Sequence, residues 1–238
     1  MVCSRLRVFV IAGLIFSLLT GCAERNSQAA PVVPNERMIA QVQAAIDAYY
    51  QDTGGLLPIK NSDADTDIYM KYKIDFNKLV PDYLMQTPPN AYEKGGIFQY
   101  VIINPETEPE VKVIDLRIAE TIRTIHLRLR SVKYPPYKQQ IAKNVFTLDY
   151  KKLGFPEDPV VISPFTGNNL PIVITGDGRL VVDYASDLYH RIQEHPDLPL
   201  EKGADIRWIL VEDSAFVPAY SVPYTIDDHR EPVFLYEP

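Results

Sequence analysis

The sequence predicts an α+β fold built from two tandem modules, each a helix packed on a small antiparallel sheet, with an extended C-terminal tail. Three observations carry this. Apolar residues recur at spacings of three and four over residues 36–51 and again over 118–132, the mark of an amphipathic helix. Each helical stretch is followed by the same six-residue pattern of apolar, Asp, aromatic, polar, Lys, Leu, once at Ile74–Leu79 and once at Leu148–Leu153. Each copy then reaches two β-rich runs joined by a turn.

In the first copy, Ile39, Val42, Ile46, Tyr49 and Tyr50 form the apolar face, with Asn35 as N-cap and Glu36 in the first turn. Gly54 and Gly55 end the helix, and Pro58 prevents its resumption. After the polar loop Asn61–Asp67 and the short segment Ile74–Leu84 come strand-like runs at Ile97–Ile103 and Glu110–Leu116. In the second copy the stripe is Ile118, Ile122, Ile125, Leu129 and Val132, closed by Pro135 and Pro136. Its hairpin is expected from Pro171–Thr175 and Arg179–Asp183 around Gly176-Asp177-Gly178, whose glycines suit a tight turn. A short helix should follow from Ser186, and Ala204–Glu212, with the single Trp208, reads as a strand. Pro218, Pro223 and Pro232 argue for an extended tail beyond Phe216, packed on the second module or used as an edge.

Ahead of these modules stands an address. Arg5 and Arg7 precede a 12-residue apolar run, Val8–Leu19, which is shorter than the ~18 residues a spanning helix requires. Leu19-Thr20-Gly21-Cys22 then resembles the lipobox of bacterial lipoproteins. That resemblance implies a diacylglyceryl group on the Cys22 thiol, cleavage before it, and attachment to the extracytoplasmic side of the cell membrane. The expected organisation is a signal peptide over 1–21, a lipidated tether over 22–35, modules over 36–116 and 117–195, and a proline-rich tail with a Trp208 strand over 196–238.

The chain has 238 residues, of which 46% are hydrophobic and 23% charged, so it belongs with globular proteins. Its net charge of -7 gives no support to a phosphate-tracking surface, and no nucleic-acid partner is expected. Cleavage would remove Arg5 and Arg7 but no acidic residue, taking the net charge to -9. An anionic lipid surface would repel such a body within a Debye length of about 8–10 Å. The 13 residues Ala23–Asn35 are small and polar, and reach roughly 40 Å when extended. Cys3 would leave with the signal and Cys22 would be acylated, so the folded body would hold no thiol.

A family resemblance rests on short motifs. Ala45-Ile46-Asp47-Ala48-Tyr49-Tyr50-Gln51-Asp52-Thr53-Gly54-Gly55-Leu56-Leu57-Pro58, then Lys78-Leu79-Val80-Pro81-Asp82-Tyr83-Leu84, then Pro88-Pro89 before a hairpin, resemble the globular half of type II secretion major pseudopilins. The likeness covers about 36–116 directly and 117–184 through the internal repeat. It implies a pilin-like module used for contact with other proteins. The hydrophobic assembly helix of that family is replaced here by the lipobox, so filament assembly does not carry over. Nor does the family's calcium site, since the corresponding loop, Asn104–Pro109, has only Glu106 and Glu108 as carboxylates. The chain is also similar to uncharacterised lipoproteins of Gram-positive spore-forming bacteria.

Catalytic and metal motifs are missing. Asp63, Asp65 and Asp67 have the opening spacing of a calcium loop, but Ile68 stands at its sixth position and Ile74 at its twelfth, where glycine and glutamate are needed. A solvated turn is the better reading. The four histidines, 126, 190, 195 and 229, form no ligand pair of the His-Glu-x-x-His kind, and there is no Gly-x-Ser-x-Gly elbow or glycine phosphate loop. We therefore expect no catalytic residue, metal or cofactor, and one modified residue, Cys22. The expected function is that of a membrane-anchored, non-enzymatic module that binds an envelope or secreted protein. The alternative is a solute-binding lipoprotein of an ABC uptake system, which would require parallel β-α-β lobes.

Overall fold

The computed structural model describes residues 34–236. Cys22 and the rest of the predicted address lie outside the described residues. Helix α1, Glu36–Asp52, starts where the Asn35 side chain accepts the Met38 N–H. It ends where the Thr53 and Gly55 N–H groups bond back to Tyr49 and Tyr50, with Gly54 and Gly55 at φ +69° and +101°. Its buried face, Val42, Ala45 and Ile46, packs on the antiparallel hairpin of β1, Phe98–Ile103, and β2, Glu110–Asp115. Between them lie the one-turn helix α2, Ile68–Lys71, and a 3-10 turn at Phe76–Lys78 begun by the Asp75 carboxylate.

The second part follows without a linker. Asp115 ends β2 and caps α3, Leu116–Leu129, by accepting the Arg117 N–H. This helix ends three residues before Val132 and buries Ile118, Ile122 and Ile125. They pack on a five-stranded sheet of β3 (Tyr137–Ala142), β4 (Val145–Leu148), β5 (Val160–Ile162), β6 (Asn169–Thr175) and β7 (Leu180–Val182). The order is β3-β4-β6-β5, with β7 also on β6, and every named pair is antiparallel. The second six-residue pattern gives a 3-10 turn at Tyr150–Leu153, the counterpart of the first. Helix α4, Ala185–Glu194, follows, its start bonded to the Asp183 side chain.

The C-terminal region corrects two expectations. Trp208 lies in a 3-10 turn, Arg207–Leu210, and not in a strand. The Asp205 side chain accepts the Arg207 N–H, which starts a turn, and Ile209 and Leu210, three and four residues after Ile206, are buried with it. Nor is the tail simply extended. The order helix, 3-10 turn, hairpin occurs a third time as α4, Arg207–Leu210, and the hairpin of β8 (Tyr224–Ile226) with β9 (Pro232–Phe234). Even the one-residue turn entering each loop recurs, centred on Pro58, Pro136 and Pro199, with N–H···O bonds of 2.9, 2.9 and 2.8 Å. Pro232 is accommodated because it is the first residue of its strand.

Residues 215–217 run parallel to β2 and bond to it through Val113, whose N–H reaches Ala215 and whose carbonyl accepts from Val217. The tail thus completes the first hairpin's edge. The hairpin face turned away from α1 is covered in part by Tyr69 of α2 and by Val211, Val217 and Ala219.

Candidate functional site

Among the described strands, β3 is the most exposed. Pro135 and Pro136 stop the preceding segment and turn the chain into this strand. Tyr137–Gln140 are polar or aromatic and exposed, and Ile141 is 39% exposed. One edge of β3 pairs with β4, and the other has no strand neighbour among the described residues. Two register shifts interrupt the β3–β4 ladder, at Tyr137/Gln139 and Gln140/Ala142. Such bulges discourage indiscriminate edge pairing while leaving individual N–H and C=O groups free. Tyr137 is fixed by its ring contact with Phe146, at 5.0 Å between centroids, and Tyr134 beside it is largely exposed. The result is a polar and aromatic edge strand with no strand neighbour on one side among the described residues, the setting in which a further strand can be added.

Residues singled out in the sequence are scattered. Asp67 caps α2 and reaches Arg207 at 2.9 Å, while Asp63 and Asp65 are exposed. His190 lies 3.4 Å from Glu194, His195 contacts Arg191, and His126 and His229 are exposed on separate elements. Among the described residues, no three His, Cys, Asp or Glu side chains are placed to hold a metal, and no helix is long and apolar enough to cross a membrane.

Two of the four buried charged residues among those described, Arg207 and Asp187, tie separate segments together. Arg207, 2% exposed, donates to Asp205, Asp67 and the Ser221 hydroxyl, and lies over the Tyr69 ring. Asp187, on α4, accepts hydrogen bonds from Ser163 Oγ at 2.7 Å and Thr166 Oγ1 at 2.6 Å. Ser163 Oγ in turn accepts the Phe165 and Thr166 N–H groups, so the pair ties the 163–168 turn to α4.

Burial pushes the Asp187 carboxyl above its usual range. The two hydroxyls and His190 offset part of the rise, and Asp183 adds to it. A carboxyl whose pKa is higher folded than unfolded favours folding most below the unfolded value, near ~4, and that contribution is lost as pH rises through the folded value. Between pH 4 and 7, the unfolding free energy of the wild type relative to Asp187→Asn is therefore expected to fall with rising pH. Paired urea titrations measure it. A flat difference, or one of opposite slope, contradicts the assignment.

With this geometry in hand, one family comparison bears on the chain. Residues 35–115 match the model of the YphF family N-terminal domain. The matched stretch runs from Asn35, the N-cap of α1, to Asp115, the N-cap of α3, and so takes in the helix, both turns and the first hairpin. It covers about a third of the chain and stops before β3. No curated protein and no solved structure matches the chain.

The β3 edge escapes sequence reasoning for a physical reason. Tyr-Lys-Gln-Gln-Ile-Ala lacks apolar alternation because neither face of the strand is deeply buried. The adjacent Pro-Pro pair, which favours extended backbone, is the one signal that points to it.

Proposed function

We propose that this chain is a lipid-anchored extracytoplasmic protein that binds an extended segment of another envelope or secreted protein along β3, without catalysing a reaction. The open aromatic edge of β3 is the observation that carries this reading. The lipobox supports the location. Two acyl chains on Cys22, at about 0.8 kcal/mol per buried methylene, would give stable attachment where a single chain gives only marginal binding. The antiparallel pairing of all the named strands favours this reading over a two-lobed solute receptor, which needs parallel crossovers.

Two measurements test it. Cys22→Ala is expected to move the protein from the membrane fraction to the soluble or unprocessed pool, and unchanged lipid attachment would refute the anchor. A photo-crosslinker at position 139 in intact cells is expected to capture one recurrent envelope or secreted protein. Tyr137→Lys combined with Ile141→Lys should abolish that product while the circular dichroism spectrum is preserved. A product indifferent to those lysines, or none across repeated trials, overturns the edge as the binding surface.

A further inference from the structure

A second site lies on the hairpin face turned away from α1. Alternation along β1 and β2 sends Phe98, Tyr100, Val111 and Val113 into the core beneath α1, and leaves Gln99 and Ile114 on the opposite face. These two residues are direct cross-strand partners. Val101 and Ile103, further along, are covered by α2 and the tail, but the Gln99–Ile114 pair floors an open cavity of about 530 Å³. That volume lies within the range of small-ligand sites. Met70, Ile97 and Leu116 give the walls an apolar character.

The rim is cationic in a chain of net negative charge. Lys73, Arg117 and Arg123 line it, against one carboxylate, Glu120. Arg117 is neutralised by the buried Asp115, through contacts of 3.0 and 2.5 Å, and Arg123 by Glu120 at 2.9 Å. Among the described residues Lys73 has neither an ion pair nor a side-chain hydrogen bond, which leaves the cavity one uncompensated positive charge. Arg117 spends Nε and Nη2 on Asp115, and its Nη1 has no partner among the described residues.

Tyr220 adds an independent sign. It is a bulky aromatic residue held at φ +57°, a left-handed conformation costly for its type, with its N–H on the Met70 sulfur at 3.3 Å. Its carbonyl is fixed by the Val182 N–H, the residue lines the cavity, and its hydroxyl has no hydrogen-bond partner among the described residues. Strain of this kind concentrates where a side chain must be presented to something else.

We infer that this cavity binds a small monoanion with an apolar body, a carboxylate carried on an aryl or short alkyl group. Lys73 and Arg117 Nη1 hold the carboxylate, the Tyr220 hydroxyl supplies a further donor, and the body lies over Ile114, Ile97 and Leu116. A single residual positive charge matches one carboxylate better than a dianionic phosphate. The site is separate from β3 and independent of what binds there.

The test uses the full chain in lipid nanodiscs, with empty discs as the blank and 4-phenylbutyrate as probe. Saturable binding is expected with a Kd below about 1 mM. The neutral analogue 4-phenylbutan-1-ol should bind about tenfold more weakly. Lys73→Ala should weaken the acid by a similar factor and leave the alcohol unchanged, and Lys73→Arg should restore the acid. Inorganic phosphate should compete poorly. Equal binding of acid and alcohol, acid binding unaffected by Lys73→Ala, effective competition by phosphate, or no binding above empty discs would each overturn the proposal. The β3 crosslink in the Lys73→Ala variant keeps this outcome distinct from that of the interaction surface.

Discussion

Arg207→Ala is expected to lower the unfolding free energy by about 3 kcal/mol, the lower end of the range for breaking a buried ion pair, because the partner carboxylates are partly exposed. The guanidinium uses Nε and Nη2 on Asp205, with Nη2 at 2.8 Å, and Nη1 on Asp67 at 2.9 Å and Ser221 Oγ at 2.8 Å. Burial works against its charge, and the two carboxylates more than restore it. Its removal leaves two carboxylates without their cation and strips a cation from 4.9 Å above the Tyr69 ring. Asp67→Asn should cost much less, since the two-pronged contact with Asp205 survives. Urea denaturation of both variants measures the pair, and a loss below about 1 kcal/mol for Arg207→Ala would show the cluster to be energetically idle.

Gly96→Ala is expected to be comparably damaging, at about 3 kcal/mol, for a wholly steric reason. A Cβ at position 96 would sit 2.1 Å from the carbonyl carbon and oxygen of Asn90, atoms of the backbone that cannot swing aside. Asn90 is itself committed. Its carbonyl accepts the Phe98 N–H at 3.1 Å, and its side-chain oxygen accepts the Tyr100 hydroxyl at 2.9 Å. Moving it would disturb the start of β1 and the core tyrosine together. The neighbouring Gly95→Ala is the control, because Gly95 has nothing within 4 Å of its would-be Cβ and only a φ of +80° to oppose the change. That conformational cost is about 1–2 kcal/mol. Thermal melts that rank Gly95→Ala as the more harmful of the two would contradict the close-approach argument.

Most of the α+β architecture was legible where burial on one face writes a period into the residues. Ile118, Ile122 and Ile125 marked α3, Val42 and Ile46 marked α1, and the repeated Asp-aromatic pattern marked two equivalent places, each of which the structure forms as a 3-10 turn. Signals failed where structure is set by partners distant in sequence. Strand β3 exists because β4 pairs with it, not because its residues alternate. Trp208 looked strand-like because the run Ile206–Val211 is apolar apart from Arg207, but the local bond from the Arg207 N–H to the Asp205 side chain decides the conformation. The third turn and hairpin were hidden by shortening, since β8 and β9 have only three residues each, although the helix before them was expected from Ser186. The carboxylate cavity was illegible in principle. Its floor comes from β1 and β2, its charge from Lys73 and α3, and its strained tyrosine from position 220.

The parallel seam between residues 215–217 and β2 also governs the order of assembly. A polypeptide emerges from its N-terminus, so the first hairpin is made about a hundred residues before the segment that closes its edge. Until then, Val113 offers its N–H and C=O to any neighbouring strand, and Asp67 waits for Arg207. The nascent first module is thus a sticky, half-finished object, and the last residues made act as its seal. Loss of the C-terminus would therefore reach beyond the tail, exposing a sheet edge in the oldest part of the chain to aggregation.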